Sequence, residues 1–317
     1  MASNPLNSVQ PELGNSSGWD RPRLEALLKL THLATGELIS KHAEANANGF
    51  IFGGQLIGQA IAAAAHDVPP GMTANNLQMS FLAPGQTRED LRFEVTRLLN
   101  GRNFVVQQVL CRQSERMVFS AQVSFHRGEP GPDFTIPMPA DVPSPETLPT
   151  LREVVLKHAD EMGLNDATRA RVGNSRNLEI RPVNGRELLM EPQPAGHLMF
   201  WTKAIDKLPD AALLHQAALG YMSDYWFPIA AISPHLKVKV NTGLYIASLN
   251  HSIWFYLTPK ADEWLLVDAR AQRTVNGRGL SQGTIYSRDG QAIANVMQET
   301  LFRGWDKLVA KSASSLA

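Results

Sequence analysis

The chain has 317 residues, enough to bury a large core in one to three domains. Lys plus Arg and Asp plus Glu each number 30, so no net field recruits nucleic acid or an anionic membrane. The single cysteine, Cys111, excludes an intramolecular disulfide and points to a reducing compartment, and no apolar run approaches the roughly 18 residues of a membrane helix.

Residues 1–20 are rich in Asn, Ser, Pro and Gly and lack the basic start and apolar core of a secretion signal, so a poorly ordered leader is expected. Leu24, Leu27, Leu28, Leu30 and Leu33 space out a short helical or mixed entry segment over 21–38. Leu56, Ile57, Ala60, Ile61, Ala63 and Ala64 recur at helical spacing and predict a longer helix over 53–66, ended by Asp67 and Pro69-Pro70. Strands are predicted over 76–82, 91–99, 103–112 and 117–125, with turns at Pro84-Gly85, Asn100-Gly101 and Gln113-Ser114. One helix followed by an antiparallel meander makes an α+β module over 21–128.

Seven prolines between Glu129 and Leu151 exclude regular structure there, so 129–176 is expected to be a Pro-rich linker with one helix over 151–163. A second module over 177–306 repeats the order of elements. It begins near Asn177-Leu178-Glu179-Ile180 and has a strand over 198–205, a helix over 211–225 and strands over 243–257, 264–272, 279–287 and 291–302. Asp289-Gly290 joins the last two as a hairpin turn, because that pair tolerates positive φ. In the tail, 307–317, Ser315-Leu316-Ala317 lacks the basic middle residue of a Ser-Lys-Leu address, which favours a cytoplasmic over a peroxisomal location.

The halves partly repeat. Asn100-Gly101-Arg102, Arg112, Gln122 and Arg127 recur at a constant offset of 176 as Asn276-Gly277-Arg278, Arg288, Gln298 and Arg303. Phe104, Val109, Met117 and Phe125 keep that register with Leu280, Ile285, Ile293 and Leu301. Duplication of one module is implied, with the two sheets pairing edge to edge. Aligning the helices through Gln55 and Gln216 sets Asp224 opposite Ala63, so the second copy has both an acid and a glutamine and the first only the glutamine, Gln122. One competent site per chain is expected, centred on the second half.

Several segments carry a family resemblance. They are Phe52-Gly53-Gly54-Gln55-Leu56-Ile57-Gly58-Gln59-Ala60, Leu214-His215-Gln216 through Gly220-Tyr221-Met222-Ser223-Asp224, Ile246 to Phe255 with Ser248-Leu249-Asn250-His251, Glu263-Trp264-Leu265-Leu266, and Met297-Gln298-Glu299. In order and spacing the sequence resembles the acyl-CoA thioesterase II (TesB-like) family. The resemblance implies a double hotdog fold, two α+β modules each with an antiparallel sheet wrapped around a long central helix. It implies hydrolysis of a fatty or other acyl-CoA thioester to free acid and CoA, with no cofactor, and a homo-oligomer. A carboxylate, a hydroxyl and a glutamine position the attacking water in that family, and the matching residues are Asp224, Ser248 and Gln298. The family commonly has threonine where Ser248 stands, and often aspartate at Asn250.

The residues themselves leave more than one role open. Asp224 lies on the apolar stripe of its helix with Leu213, Ala217 and Gly220 or Tyr221, where burial and the C-terminal dipole raise its pKa as suits a general base. The alternative is a turn-capping Asp before Pro228. Gln298 sits in an alternating strand, where its amide can accept from a water while donating to a neighbouring oxygen, or lie on the surface as an ordinary polar side chain. Ser248 can donate to Asp224 or hold the water. His251, three residues on, is turned to the opposite face by strand alternation, as a structural or substrate-contacting residue. Backbone amides near the start of the first helix are the candidate oxyanion donors.

Other chemistries fit less well. The histidines are scattered and no HxxxH or CxxC spacing is present, so no metal is implied. Gly279-Leu280-Ser281-Gln282-Gly283 matches a nucleophile elbow, yet a strand follows Ser281 and the last histidine, His251, precedes it. The glycines of 52–59 lack the Lys-Ser or Lys-Thr of a phosphate loop. A hotdog hydratase pairs its aspartate with a histidine five residues on, where this chain has Ile229. The remaining rivals are a thioesterase acting on a carrier-bound acyl or polyketide chain and a non-catalytic acyl-CoA binding module.

Overall fold

The computed structural model describes residues 22–34, 36–171, 177–238 and 243–305. The expected leader, 1–20, and tail, 307–317, lie outside the described residues. The first half comprises α1 (Leu24–Leu28), β1 (Thr31–His32), β2 (Leu38–Ser40), α2 (Gly53–Ala65), β3 (Thr73–Phe81), β4 (Leu91–Asn100), β5 (Phe104–Gln113) and β6 (Arg116–His126). The second comprises α3 (Leu151–Lys157), α4 (Asp166–Arg171), β7 (Leu178–Pro182), α5 (Gly185–Met190), β8 (His197–Ala204), α6 (Ala212–Ser223), α7 (Phe227–Ile232), β9 (Tyr245–Phe255), β10 (Leu265–Val275), β11 (Arg278–Ser287) and β12 (Ala292–Arg303).

The strands form one sheet in the order β1-β2-β4-β5-β6-β3-β9-β12-β11-β10-β8-β7. Read outward from the middle, the two halves have matching connectivity. The seam is the antiparallel pair β3–β9, with Asn76 opposite Trp254 and Ser80 opposite Asn250. Pairing there removes two edges that would otherwise expose unpaired amides, as edge-to-edge pairing predicts.

Inside the curve of the sheet lie α2 and α6, packed antiparallel. Gly54 meets Tyr221 and Gly58 meets Ala217, so the residue numbers run in opposite directions along the contact. A Cβ on Gly58 would fall 2.7 Å from the Ala217 carbonyl oxygen, so this approach needs glycine. Gln216 ties α6 to the first half by accepting from the Ala74 N–H at 2.8 Å and donating to the Ala74 carbonyl at 2.7 Å. One hydrophobic core runs through both halves, from Leu27 and Ile57 to Phe227 and Val296.

The Pro-rich stretch is more than a spacer. Met138, Val142 and Leu148 pack on Trp201, Trp264, Leu266 and Tyr286, on the face of the sheet's second half that carries no central helix. Trp201 donates its indole N–H to the Pro143 carbonyl at 2.9 Å, and Arg181 donates to the carbonyls of Pro145 and Leu148. Prolines suit such a strap because they have no amide hydrogen to satisfy.

Helix ends differ from the periodic pattern where local backbone breaks it. The helix expected over 151–163 stops at Lys157 and gives way to turns that end at Gly163, whose φ is +66°. The helix expected over 211–225 closes at Ser223, Trp226 follows with a φ of +70°, and α7 begins beside Pro228, a residue suited to a first helical turn. The entry segment resolves into α1 and the short strands β1 and β2.

Candidate active site

Asp224 is the C-cap residue of α6, where the dipole of its own helix opposes a negative charge. Its carboxylate points instead into the start of α2. That helix has no side-chain N-cap of its own, and Asp224 takes a hydrogen bond from the Gly54 backbone N–H. A carboxylate from the second half thus caps a helix of the first half, in the field of that helix's positive end. The approach depends on glycine: a Cβ on Gly53 would lie 2.6 Å from Asp224 Oδ2, and one on Gly54 would run into the Tyr221 carbonyl.

Two further groups hold the acid. Gln298 donates from Nε2 to Asp224 Oδ1 at 2.6 Å and to Ser248 Oγ at 2.8 Å, and Ser248 donates to Asp224 Oδ1 at 3.0 Å. Asp224, Ser248 and Gln298 therefore form a closed triangle, with the acid and the amide deep in the fold and Ser248 half-buried. Burial pushes the Asp224 carboxyl up to about 6, against the lowering effect of the bonds from Gln298, Ser248 and Gly54. Near neutral pH it is a carboxylate held close to its titration point.

His251 is not on the opposite face from Ser248, contrary to strand alternation. Across β9 and β12, Glu299 pairs with Asn250 but Thr300 pairs with Ser248, so Leu249 is an extra residue in the β9 ladder. Such a bulge reverses the alternation, and both Ser248 and His251 turn inward. His251 lies fully buried, with Nδ1 3.1 Å from Gln298 Oε1 and Nε2 2.9 Å from Ser223 Oγ. Burial lowers its pKa to about 3 and keeps the ring neutral. Gln298 differs from expectation too: both hydrogens of its amide go to Asp224 and Ser248, while its oxygen faces His251. It clamps the acid and the hydroxyl.

The first half lacks this constellation. Gln122 sits on the outer face of β6, exposed and lining a hollow with Gln78, Gln108, Asn250 and Ser252, whereas Gln298 is fully buried. Inward positions on β6 are taken by Ala121 and Val123. The constant sequence offset is therefore out of phase with the pleat here, and a one-residue slip reverses every side chain. Ala63 is buried on α2. Asn250 donates to Glu299 at 3.1 Å on the outer face, so its difference from the family's aspartate lies away from Ser248. Among the described residues no group of three or more His, Cys, Asp or Glu is arranged to hold a metal.

A curved sheet around paired helices, with an acid, a hydroxyl and an amide converging beneath the helix junction, defines a double-hotdog hydrolase of the thioesterase type. The sequence matches the family model for acyl-CoA thioesterase over residues 174–301 and the model for the acyl-CoA thioesterase N-terminal domain over 42–126. The chain belongs to the acyl-CoA thioesterase family. It is 31% identical to acyl-CoA thioesterase 2 of Haemophilus influenzae over 290 residues, covering 88% of this chain and 98% of that one. It is 32% identical to acyl-coenzyme A thioesterase 8 of Mus musculus, covering 80% of each chain. Among solved structures, acyl-CoA thioesterase II TesB2 from Mycobacterium marinum superposes with a TM-score of 0.70 at 31% identity, covering 88% of this chain and 96% of that one.

Proposed function

We propose that this chain hydrolyses an acyl-CoA thioester to the free acid and CoA by direct attack of water, with Asp224 as general base. The observation that carries the reading is the Asp224–Ser248–Gln298 triangle at the start of α2, in a chain of the acyl-CoA thioesterase family. In this mechanism Asp224 takes a proton from the water as its oxygen bonds to the thioester carbon. Amides in the first turn of α2 other than that of Gly54, which is given to Asp224, face the carbonyl oxygen as it becomes negative. The carbon–sulfur bond then breaks and the proton returns from Asp224 to the departing sulfur.

Water is favoured over Ser248 as the nucleophile. A nucleophilic serine needs a free line of attack as well as a base for its proton. Ser248 Oγ is held on both sides, donating to Asp224 and accepting from Gln298, while His251 reaches Gln298 and Ser223. Mass spectrometry of acid-quenched turnover separates the two routes. Direct attack leaves Ser248 unmodified during steady-state CoA release, and an acyl adduct on Ser248 that forms and decays at the turnover rate would overturn it.

A homo-oligomer and a cytoplasmic location are part of the same proposal. No helix among the described residues is long and apolar enough to cross a membrane. Light scattering of the purified chain tests the assembly: a mass of at least two chains is expected, and a monomer at micromolar concentration contradicts it.

A further inference from the structure

Asp224 fixes more than its own neighbours. Its carboxylate can be met at Oδ1 only by the NH₂ side of the Gln298 amide, because a flipped amide would set oxygen against carboxylate. That orientation turns Gln298 Oε1 towards His251 Nδ1, 3.1 Å away, so this nitrogen must carry the ring hydrogen. Nε2 of a neutral ring is then an acceptor, and its neighbour is the Ser223 hydroxyl at 2.9 Å. Ser223 also lies 2.8 Å from the Gly220 carbonyl, so its single hydrogen is drawn by two acceptors.

We propose that His251 is a positioning residue for hydrolysis, its Nδ1–H locking the Gln298 amide in the one orientation that holds both Asp224 and Ser248. The inference rests on the water-attack reading above. Gln298 Oε1 selects the ring tautomer, Ser223 next to Asp224 in sequence faces the other ring nitrogen, and the Leu249 bulge brings the imidazole to the inner face. Ser223, His251 and Gln298 are buried, so water does not compete for the contacts between them. Without the donor at Nδ1, Gln298 has reason to swing its own NH₂ towards other acceptors. Asp224 then loses a hydrogen bond to its charged form, and its pKa rises further.

The test has a spectroscopic and a kinetic arm. In ¹⁵N-histidine-labelled wild-type protein, the Nδ1 resonance of His251 is expected to be that of a protonated nitrogen from pH 5 to 8. A bare Nδ1 with the hydrogen on Nε2 overturns the proposal irrespective of any assay. In the kinetic arm, His251→Leu keeps an apolar body but no donor, while His251→Asn restores an N–H near the Nδ1 position. For CoA release, His251→Leu is expected to lower kcat on the order of 10²-fold. Its KM stays within a few-fold, and the acid limb of the pH–rate profile moves up by about one unit. His251→Asn is expected to recover at least ten-fold of that loss and return the limb towards the wild-type pH.

A merely packed histidine predicts an unmoved limb in both variants, with Asn no better than Leu, and that result overturns the positioning role. If the Leu variant does not fold, the labelled wild-type protein and the Asn variant still decide. Wild type that releases no CoA from any acyl-CoA, or Asp224→Asn that keeps full activity, sinks the water-attack reading. The nitrogen assignment shows separately whether the relay exists.

Discussion

At the scale of the residue, Asp224 combines two opposed environments, the negative end of its own helix and the positive end of α2. Its folded pKa, about 6, lies above the ordinary 3.8, so the folded chain holds an extra proton between those values. The resulting stabilisation is full below about pH 4 and is lost as pH rises through about 6. Asp224→Asn is therefore expected to raise the unfolding free energy at pH 8 by on the order of 2 kcal/mol while abolishing turnover, a site residue that weakens the fold it serves. Chemical denaturation at pH 8 beside a CoA-release assay checks both halves, and a less stable yet active variant contradicts them. Gln298→Ala removes the N–H bonds to Asp224 and Ser248 and is expected to lower kcat on the order of 10²-fold. Gln122→Ala on the outer face is expected to leave it unchanged. The apolar stripe drew attention to Asp224 but left a turn cap open, and the family resemblance is what singled out Asp224, Ser248 and Gln298 together. The inward turn of His251 was not, because a bulge is an interstrand register and β9 alternates normally up to it.

At the scale of the element, the proposed site lies at a helix-to-helix junction. The glycines of Phe52-Gly53-Gly54-Gln55 look in sequence like close packing with amides left for a ligand. In the fold the Gly54 amide is given to Asp224, and the missing Cβ of Gly53 leaves room for Oδ2. Gly53→Ala is expected to keep the helix, since alanine is the better helix former, and yet to displace the carboxylate and lower kcat. Circular dichroism and steady-state kinetics together show whether activity falls with helicity intact; an unaffected kcat would mean that the acid has slack. Cys111 offers a control on the core of β5. Buried and with its thiol pushed well above the ordinary range, it is expected to resist a thiol reagent until the chain unfolds. Strand and helix periodicity located these elements, whereas their ends depended on single backbone breaks, at Trp226 above all, that periodicity does not carry.

At the scale of the molecule, the proposed site is shared by both halves of a duplicated chain. The second supplies Asp224, Ser248 and Gln298, and the first supplies the helix start that the acid caps. The repeated glutamine points to opposite faces in the two halves, so the sequence repeat was a true sign of duplication and a misleading guide to equivalence. An isolated second half carries all three predicted site residues but loses α2 and the β3 side of the seam. It is expected to be inactive by itself, and full turnover by residues 177–317 alone would contradict a shared site. The most direct measurement is the pH dependence of CoA release from an acyl-CoA by wild type and Asp224→Asn. Wild-type kcat/KM is expected to rise with pH through about 6 and then level, and the variant to be slower by about 10²-fold or more at every pH. A variant that retains the wild-type rate and the same acid limb would show that the base lies elsewhere.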